Sequence, residues 1–238
     1  MINSKNYYDN IATNYHVQAL AKMNYLNAVD NYITQTLANE PIIGYMDVGT
    51  GDGRRALKLI NYFGLDNNIV LVDDSKEMLE QIAIDDNSVL FNGNIMNYKS
   101  SKTFSLITCL WNVLGHFPSV DDRINFFKLV EDYLQPGGVF IYDVNNRYNI
   151  AHYGFESVAK NITNDRLDDD NKGWFDLATG ANKTKVYIHS PFDIEQYIEP
   201  TNLILEETVF IDYSTGVKKS NFFEGQLVYK LRKPHQHG

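Results

Sequence analysis

Apolar residues recur at helical spacing through the first forty positions. Between Ala19 and Leu37 they fall at Leu20, Met23, Leu26, Val29, Ile33 and Leu37, and Ser4 or Asn6 can cap a shorter helix before them. Pro41 ends that segment, and the period changes. Ile42 to Val48 is a short apolar run, the pattern of a strand buried on both faces. Gly49-Thr50-Gly51-Asp52-Gly53 interrupts it, and a helical pattern follows from Arg54 to Phe63. Ile69 to Val72 is a second buried run, closing on Asp73-Asp74. Ser75 then suits the cap of a helix over Lys76 to Ile84, with Met78, Leu79 and Ile82 on its apolar side. Val89 to Phe91 and Phe104 to Leu110 read as the third and fourth strands. Asp121 to Leu134 reads as a helix closed by Pro136-Gly137-Gly138, and Val139 to Val144 as a fifth strand.

Alternation of apolar strands with helices predicts a parallel sheet covered on both faces. The pattern breaks after residue 145. Residues 146–182 show no clear period, and Asp168-Asp169-Asp170 reads as a solvated loop. From Thr184 the expected order is strand, helix (Asp193 to Ile198) and two strands, Leu203 to Tyr213 and Asn221 to Leu231, able to pair as a hairpin on the sheet edge. The chain thus divides into an N-terminal helical cap (1–40), a core (41–145), an insert or lid (146–190) and a C-terminal completion of the sheet (191–238).

Composition narrows the partners. The 238 residues are 44% hydrophobic, enough for a packed core. With 21 basic against 30 acidic residues the net charge is −9, which opposes a nucleic-acid backbone as partner. No run of about 18 apolar residues could cross a membrane, and the polar start MINSKNYY lacks a secretory core, so the expected location is cytoplasmic. The single cysteine, Cys109, excludes an intrachain disulfide and a four-thiolate zinc site. His235 and His237 read as a frayed tail, and no metal is expected.

The most informative local feature is the strand, the Gly49-x-Gly51-x-Gly53 turn and the helix after it. Such a turn brings a ligand close to the backbone and to the free amides that open a helix. Asp73 lies 20 residues after Gly53 at the end of the second strand, where a carboxylate can accept hydrogen bonds from both hydroxyls of a ribose. The alternative for Asp73 is to cap the next helix. A nicotinamide dinucleotide site would want G-x-G-x-x-G, and Asp47 and Asp52 would repel its pyrophosphate. The same acids suit a ligand carrying a sulfonium and an ammonium.

These segments resemble the class I S-adenosylmethionine-dependent methyltransferases. Asp47 to Gly53 is similar to their first motif, and Val72-Asp73-Asp74-Ser75-Lys76-Glu77-Met78-Leu79 to their second. Asn92-Gly93-Asn94-Ile95 resembles the third, Phe104 to His116 the strand and loop reaching the methyl group, and Leu134-Gln135-Pro136-Gly137-Gly138 the L-x-P-G-G turn. Tyr7-Tyr8-Asp9-Asn10-Ile11-Ala12-x-x-Tyr15 resembles their helical cap. The resemblance covers about residues 7–145 in order. It implies a Rossmann-like α/β fold: a mostly parallel seven-stranded sheet, helices on both faces, and an antiparallel C-terminal hairpin. It also implies S-adenosyl-L-methionine as cofactor and S-adenosyl-L-homocysteine as product.

Residue by residue, the resemblance implies Gly49, Thr50, Gly51 and Gly53 along the methionyl and ribose part, with Asp47 near the ammonium. Asp73, with Asp74 beside it, would take the ribose. Met78 would pack on the adenine, Ile95 would cover it, and Asn94 would face its amine in place of the family's usual aspartate. Leu110 and Trp111 would pass near the sulfonium, and Tyr15 would lie over the methionyl end.

Methyl transfer needs alignment and exclusion of water more than it needs acid–base groups. Asn112 and His116 follow the fourth strand and should face the acceptor. His116 is the candidate base, because histidine titrates near neutral pH; its alternative is a helix-start residue satisfied by backbone. Asp143, Asn145, Asn146 and Arg147 follow the fifth strand, where ligands sit in such sheets, and Arg147 could pair with an acceptor carboxylate or phosphate. Tyr148 and Trp174 are further pocket candidates. The expected activity is methylation of N or O on a small-molecule acceptor. The Asn/Asp-Pro-Pro-aromatic loop of enzymes that methylate nucleic-acid amines is absent. Two other readings stay open: a non-catalytic S-adenosylmethionine-binding subunit, which would bind donor without turnover, and a nucleotide-dependent oxidoreductase, which would bind NAD. Oligomeric state is not legible.

Overall fold

The computed structural model describes residues 4–85, 87–167 and 172–235. Asp168-Asp169-Asp170 and His237 lie outside the described residues. Three helices open the chain: α1 (Ser4–Ile11), α2 (Tyr15–Leu20) and α3 (Met23–Thr36). The core then alternates β1 (Tyr45–Val48), α4 (Arg54–Phe63), β2 (Ile69–Asp73), α5 (Lys76–Leu79), β3 (Ser88–Asn92), β4 (Phe104–Cys109), α6 (Val120–Tyr133) and β5 (Leu134–Val144). After it come α7 (Ile150–Tyr153), α8 (Phe155–Arg166), β6 (Trp174–Thr179), β7 (Asn182–Tyr187), α9 (Pro191–Ile198), β8 (Ile204–Ile211), β9 (Lys218–Lys219) and β10 (Gln226–Arg232).

One sheet runs in the order β3-β2-β1-β4-β5-β10-β8-β9. Strands β1 to β5 are parallel, and β10 joins antiparallel to both β5 and β8. The seven expected strands of a Rossmann-like methyltransferase sheet are therefore present, and the two-residue β9 adds an eighth at one edge. The central strands are buried along their length because apolar layers cover both faces. Phe126 and Phe127 of α6 and Tyr197 of α9 pack with Phe140 and Tyr142 on one face. Val29 and Ile33 of α3 and Leu59 of α4 pack with Leu71 and Leu106 on the other. Strand order reverses between β1 and β4, which opens a crevice at their carboxyl ends.

Several elements differ from expectation: β5 starts at Leu134 rather than Val139, the helix expected over Ala19 to Leu37 breaks between α2 and α3, and three further differences have a local reason. Strand β1 starts at Tyr45 rather than Ile42, and Ile43 is exposed. Helix α5 stops at Leu79 rather than Ile84, because the Gln81 and Ile82 amides bond three residues back and Ile82 turns in against Gly53. The twelve-residue α8 was invisible to periodicity because Val158 is its only buried residue, so it carries no apolar stripe. The hairpin β6–β7 forms a separate two-stranded sheet beside the cap, where the Tyr7 hydroxyl meets Thr179 Oγ1 at 2.7 Å. Among the described residues no helix is long and apolar enough to cross a membrane.

Candidate active site

The crevice is a cleft of about 300 Å³ at the carboxyl ends of β1, β2 and β4, roofed by α1 and the start of α2. Its floor is the glycine turn. Gly49 has φ +73°, and a Cβ there would lie 2.4 Å from the Val113 side chain, so only glycine fits. Gly51 has φ +58°, and its Cβ position points at the Tyr15 ring 3.5 Å away, so a side chain would fill the cleft. The Gly51 N–H donates to Asp73 Oδ2 (2.8 Å), and the Ser75 N–H donates to Oδ1 (2.9 Å). The turn and the next helix thus aim one carboxylate into the cleft. Burial pushes Asp73 up to about 6, against the two backbone donors that pull it down.

Tyr15, Gly49, Gly51, Asp73, Asp74 and Met78 all line this cleft, as do Asn94, Ile95, Leu110, Trp111 and His116. Asn94 is oriented by its own cap: its Oδ1 accepts from the Met96 N–H at 2.9 Å. An aspartate would keep a second acceptor oxygen at that point, whereas Asn94 has only its amide nitrogen, a donor, left. Asp47, Thr50 and Gly53 lie behind the lining. Asp47 is buried and accepts from Thr108 Oγ1 (2.5 Å). Burial pushes it up to about 6, partly offset by the Thr108 and Thr50 hydroxyls and the Arg55 cation. Arg55 is half-buried and donates to Asp30 at 2.8 Å.

One end of the cleft is aromatic. Tyr8, Tyr15, Trp111, His116 and Phe117 enclose it. Tyr15 and Trp111 face each other with ring centroids 5.4 Å apart. The Tyr8 hydroxyl meets His116 Nε2 at 2.9 Å, and His116 Nδ1 is buried without a protein partner. Burial lowers His116 to about 4, so it is a neutral imidazole at pH 7 and does not titrate near neutrality as expected from sequence.

Five substrate-side candidates fall outside the cleft lining. Asn112 is structural: its Oδ1 accepts from Asn145 N–H (2.9 Å) and its Nδ2 donates to the Tyr187 carbonyl (3.3 Å). Asn146 is buried between the Gln226 side chain and the Phe222 and Gly225 carbonyls. Arg147 is 2% exposed and fully committed. It pairs with Asp165 (2.8 Å) and with Asp193, and donates to the Ile188 carbonyl (3.0 Å). No guanidinium is left over for an acceptor anion. Tyr148 donates to the same Asp165. Trp174 packs edge-on against Tyr187 at 5.3 Å and stands near the Arg123 guanidinium. Strand-end position is what pointed Asn112, Asn146 and Arg147 toward the ligand, and that position fixes Asp143 but not the chain beyond it.

Lys5, Tyr8, Val113, Phe117 and Pro118 line the cleft without having been singled out for it. For Tyr8 a signal existed: adjacent Tyr7 and Tyr8 on one helix point to different neighbours. Among the described residues no cluster of His, Cys, Asp and Glu is arranged for a metal ion.

A glycine turn, a strand-end acid and a roofed crevice at the reversal of a parallel sheet define a Rossmann-like enzyme of the nucleoside-binding kind. Residues 46–138 match the family model described as a methyltransferase domain. The chain aligns with an S-adenosylmethionine-dependent methyltransferase from Clostridium acetobutylicum at 21% identity and TM-score 0.64, covering 87% of this chain and 92% of that one. It aligns with the N-methyltransferase NodS from Bradyrhizobium japonicum, in complex with S-adenosyl-L-homocysteine, at 13% and 0.57, covering 87% and 86%. A DhpI complex with SAM and HEP gives 15% and 0.66, covering 96% and 95%. Comparison with curated proteins gives no significant match. Residues 46–138 thus match a methyltransferase domain, and the chain shares its fold with solved enzymes that depend on S-adenosyl-L-methionine. The cleft fits that group, because the Gly51 backbone and the Asp73 carboxylate it donates to both line it, with the Tyr15 ring across from Gly51.

Proposed function

We propose that the protein methylates an O–H or an uncharged N–H of a small-molecule acceptor, with His116 Nδ1 as proton acceptor. The observation that carries this reading is the His116 imidazole: it lines the same cleft as Asp73, it is held at Nε2 by Tyr8, and its Nδ1 has no protein partner. When bound, S-adenosyl-L-methionine supplies a methyl group already activated on a sulfonium.

The remaining work falls to the chain. Asp73 binds the ribose hydroxyls, Met78 and Ile95 enclose the adenine, and Asn94 faces its edge. Tyr15 and Trp111 flank the methyl-bearing end, and the roof of α1 excludes water. In the tautomer that carries Nε2–H toward the Tyr8 oxygen, Nδ1 keeps a lone pair for the acceptor's proton. An imidazole lowered to about 4 holds that lone pair at every physiological pH. Its proton affinity is too weak to strip an ammonium, so the acceptor enters uncharged and its proton leaves as the new bond to carbon forms. The amine arm also draws support from the N-methyltransferase NodS among the structural neighbours.

The test pairs each of a panel of small hydroxyl compounds with its amine analogue and follows S-adenosylhomocysteine release. Turnover on at least one pair member is expected, and His116→Ala should cut it by about 10²–10⁴-fold, the usual worth of a positioned general base, while sparing donor affinity. Donor binding with no turnover on any compound would favour the non-catalytic subunit instead.

A further inference from the structure

Trp111 and Asn112 have backbone φ of 62° and 59°. Neither is glycine, and two consecutive side-chain-bearing residues in the left-handed region persist only where the surroundings hold them. The holding groups converge on one carboxylate at the end of β5. The Trp111 N–H donates to Asp143 Oδ1 at 2.7 Å, and the Tyr25 hydroxyl of α3 donates to Oδ2 at 2.7 Å. The Asn112 N–H donates to the Asp143 carbonyl at 3.1 Å. Beyond it, the Trp111 indole donates to the Tyr213 hydroxyl at 3.1 Å, and Tyr213 packs edge-on against Tyr25 at 4.9 Å.

Asp143 is 1% exposed, an acid in an otherwise apolar strand run. A carboxylate there is costly unless its lone pairs are used, and two donors from separate segments use them. The acid does not touch the cleft; Trp111 does.

We propose that Asp143 is a positioning residue for methyl transfer: it locks Trp111 in the left-handed turn so that the indole forms the cleft wall facing Tyr15. The proposal rests on the reading of this cleft as the transfer site. The carboxylate suits the task because both of its partners are donors. Asparagine can still accept from the Trp111 N–H and can donate its amide to the Tyr25 oxygen, so it should rescue the geometry. Alanine can do neither.

The experiment uses full-length Trp174→Phe protein, in which Trp111 is the sole indole of the original 2 tryptophans. Acrylamide quenching of Trp111 is measured with and without S-adenosylhomocysteine, and the affinity for that ligand by calorimetry. Asp143→Ala should raise quenching at least about twofold and weaken affinity about tenfold, the size of effect that releasing a strained backbone pair allows. Asp143→Asn should stay within about threefold of the parent in affinity, because its hydrogen-bond pattern survives. Equal losses in Asp143→Ala and Asp143→Asn, or parental quenching in Asp143→Ala, would overturn the proposal. If Asp143→Ala does not fold, Tyr25→Phe decides: raised quenching supports the lock, and parental quenching removes it. A parent in which S-adenosylhomocysteine gives Trp111 no protection from acrylamide would instead sink the reading of the cleft.

Discussion

On the proposed function, the donor half and the acceptor half of the cleft are built in different ways. The donor half uses contiguous pieces: a strand, a glycine turn and a helix start supply Gly49 to Gly53, and the next strand end supplies Asp73. Its key contact joins residues 22 apart, Gly51 to Asp73. The acceptor half is assembled over long range. Tyr8 reaches His116 across 108 positions, and Trp111 reaches Tyr213 across 102. Backbone conformation dictates the first half, while side-chain packing between distant segments dictates the second. The charged residues behave accordingly. Asp73, the last residue of β2, lines the cleft, whereas Arg147, three residues beyond β5, is consumed in structure.

The sharpest test of that contrast is Arg147→Ala. It leaves Asp165 and Asp193 without their buried cation, and breaking such a pair typically costs about 3–5 kcal/mol. The expected outcome is a large fall in denaturant midpoint with S-adenosylhomocysteine affinity retained at temperatures where the variant is folded. A stable Arg147→Ala protein with lost acceptor turnover would mean that the guanidinium serves the ligand after all. Asp73→Ala should do the reverse. Removing charge-assisted bonds to the ribose should weaken donor binding by ~1.5–3 kcal/mol, and calorimetry on the purified variant reads it directly. Undiminished affinity there would assign Asp73 to capping Ser75 and its helix.

What was legible follows the same division. The periodicity of Arg54 to Phe63 marked α4 to the residue, because a wide apolar stripe and two glycines bound it. Asp73 was legible because a strand end, a cap serine and a fixed distance from the glycine turn coincide there. Helix α8 was not, since a helix with one buried residue has no stripe to read. Nor was the fate of Asn146, Arg147 and Tyr148. Their partners, Gln226, Asp165 and Asp193, lie in segments whose approach no local pattern encodes. Histidine's ordinary pKa suggested a base poised near neutrality, and only the enclosure of His116 shows why it sits near 4.

The buried acids give the donor half a pH signature opposite in sign to the one the lowered His116 gives the other half. Burial raises Asp73 to about 6 from 3.8, so the ligand-free folded protein takes up protons between those values more readily than the unfolded chain does. The sign follows: this group makes ligand-free stability rise as pH falls from above 6 toward 4, and Asp47 acts in the same direction. Donor binding prefers the carboxylate, so S-adenosylhomocysteine affinity should be flat above pH 6 and fall by up to about tenfold per unit below it. Heating curves should therefore show the gap between bound and free protein narrowing on acidification. Asp73→Asn should flatten this dependence, whereas His116→Ala should leave it in place. An affinity profile that responds to His116→Ala and not to Asp73→Asn would reverse the assignment of the two halves.

The smallest expected effect concerns the seam where the halves meet the cap. Tyr7 and Tyr8 are neighbours on α1, yet one hydroxyl meets Thr179 at the tip of β6–β7 and the other meets His116 in the cleft. Tyr7→Phe keeps the ring in the core and deletes one hydroxyl contact, worth about 0.5–1.5 kcal/mol net. Because Gln18 also donates to Thr179 (3.1 Å), the hairpin tip retains a partner and the loss should sit at the low end. Amide exchange in α1 should rise modestly while donor affinity stays put, since Tyr7 does not line the cleft. A matching loss in the Tyr8 contact, read as raised exchange at His116 and slower turnover, would show that the cap moves as one lever between hairpin and histidine. Exchange confined to the first turn of α1 would show instead that the two tyrosines hold their partners independently.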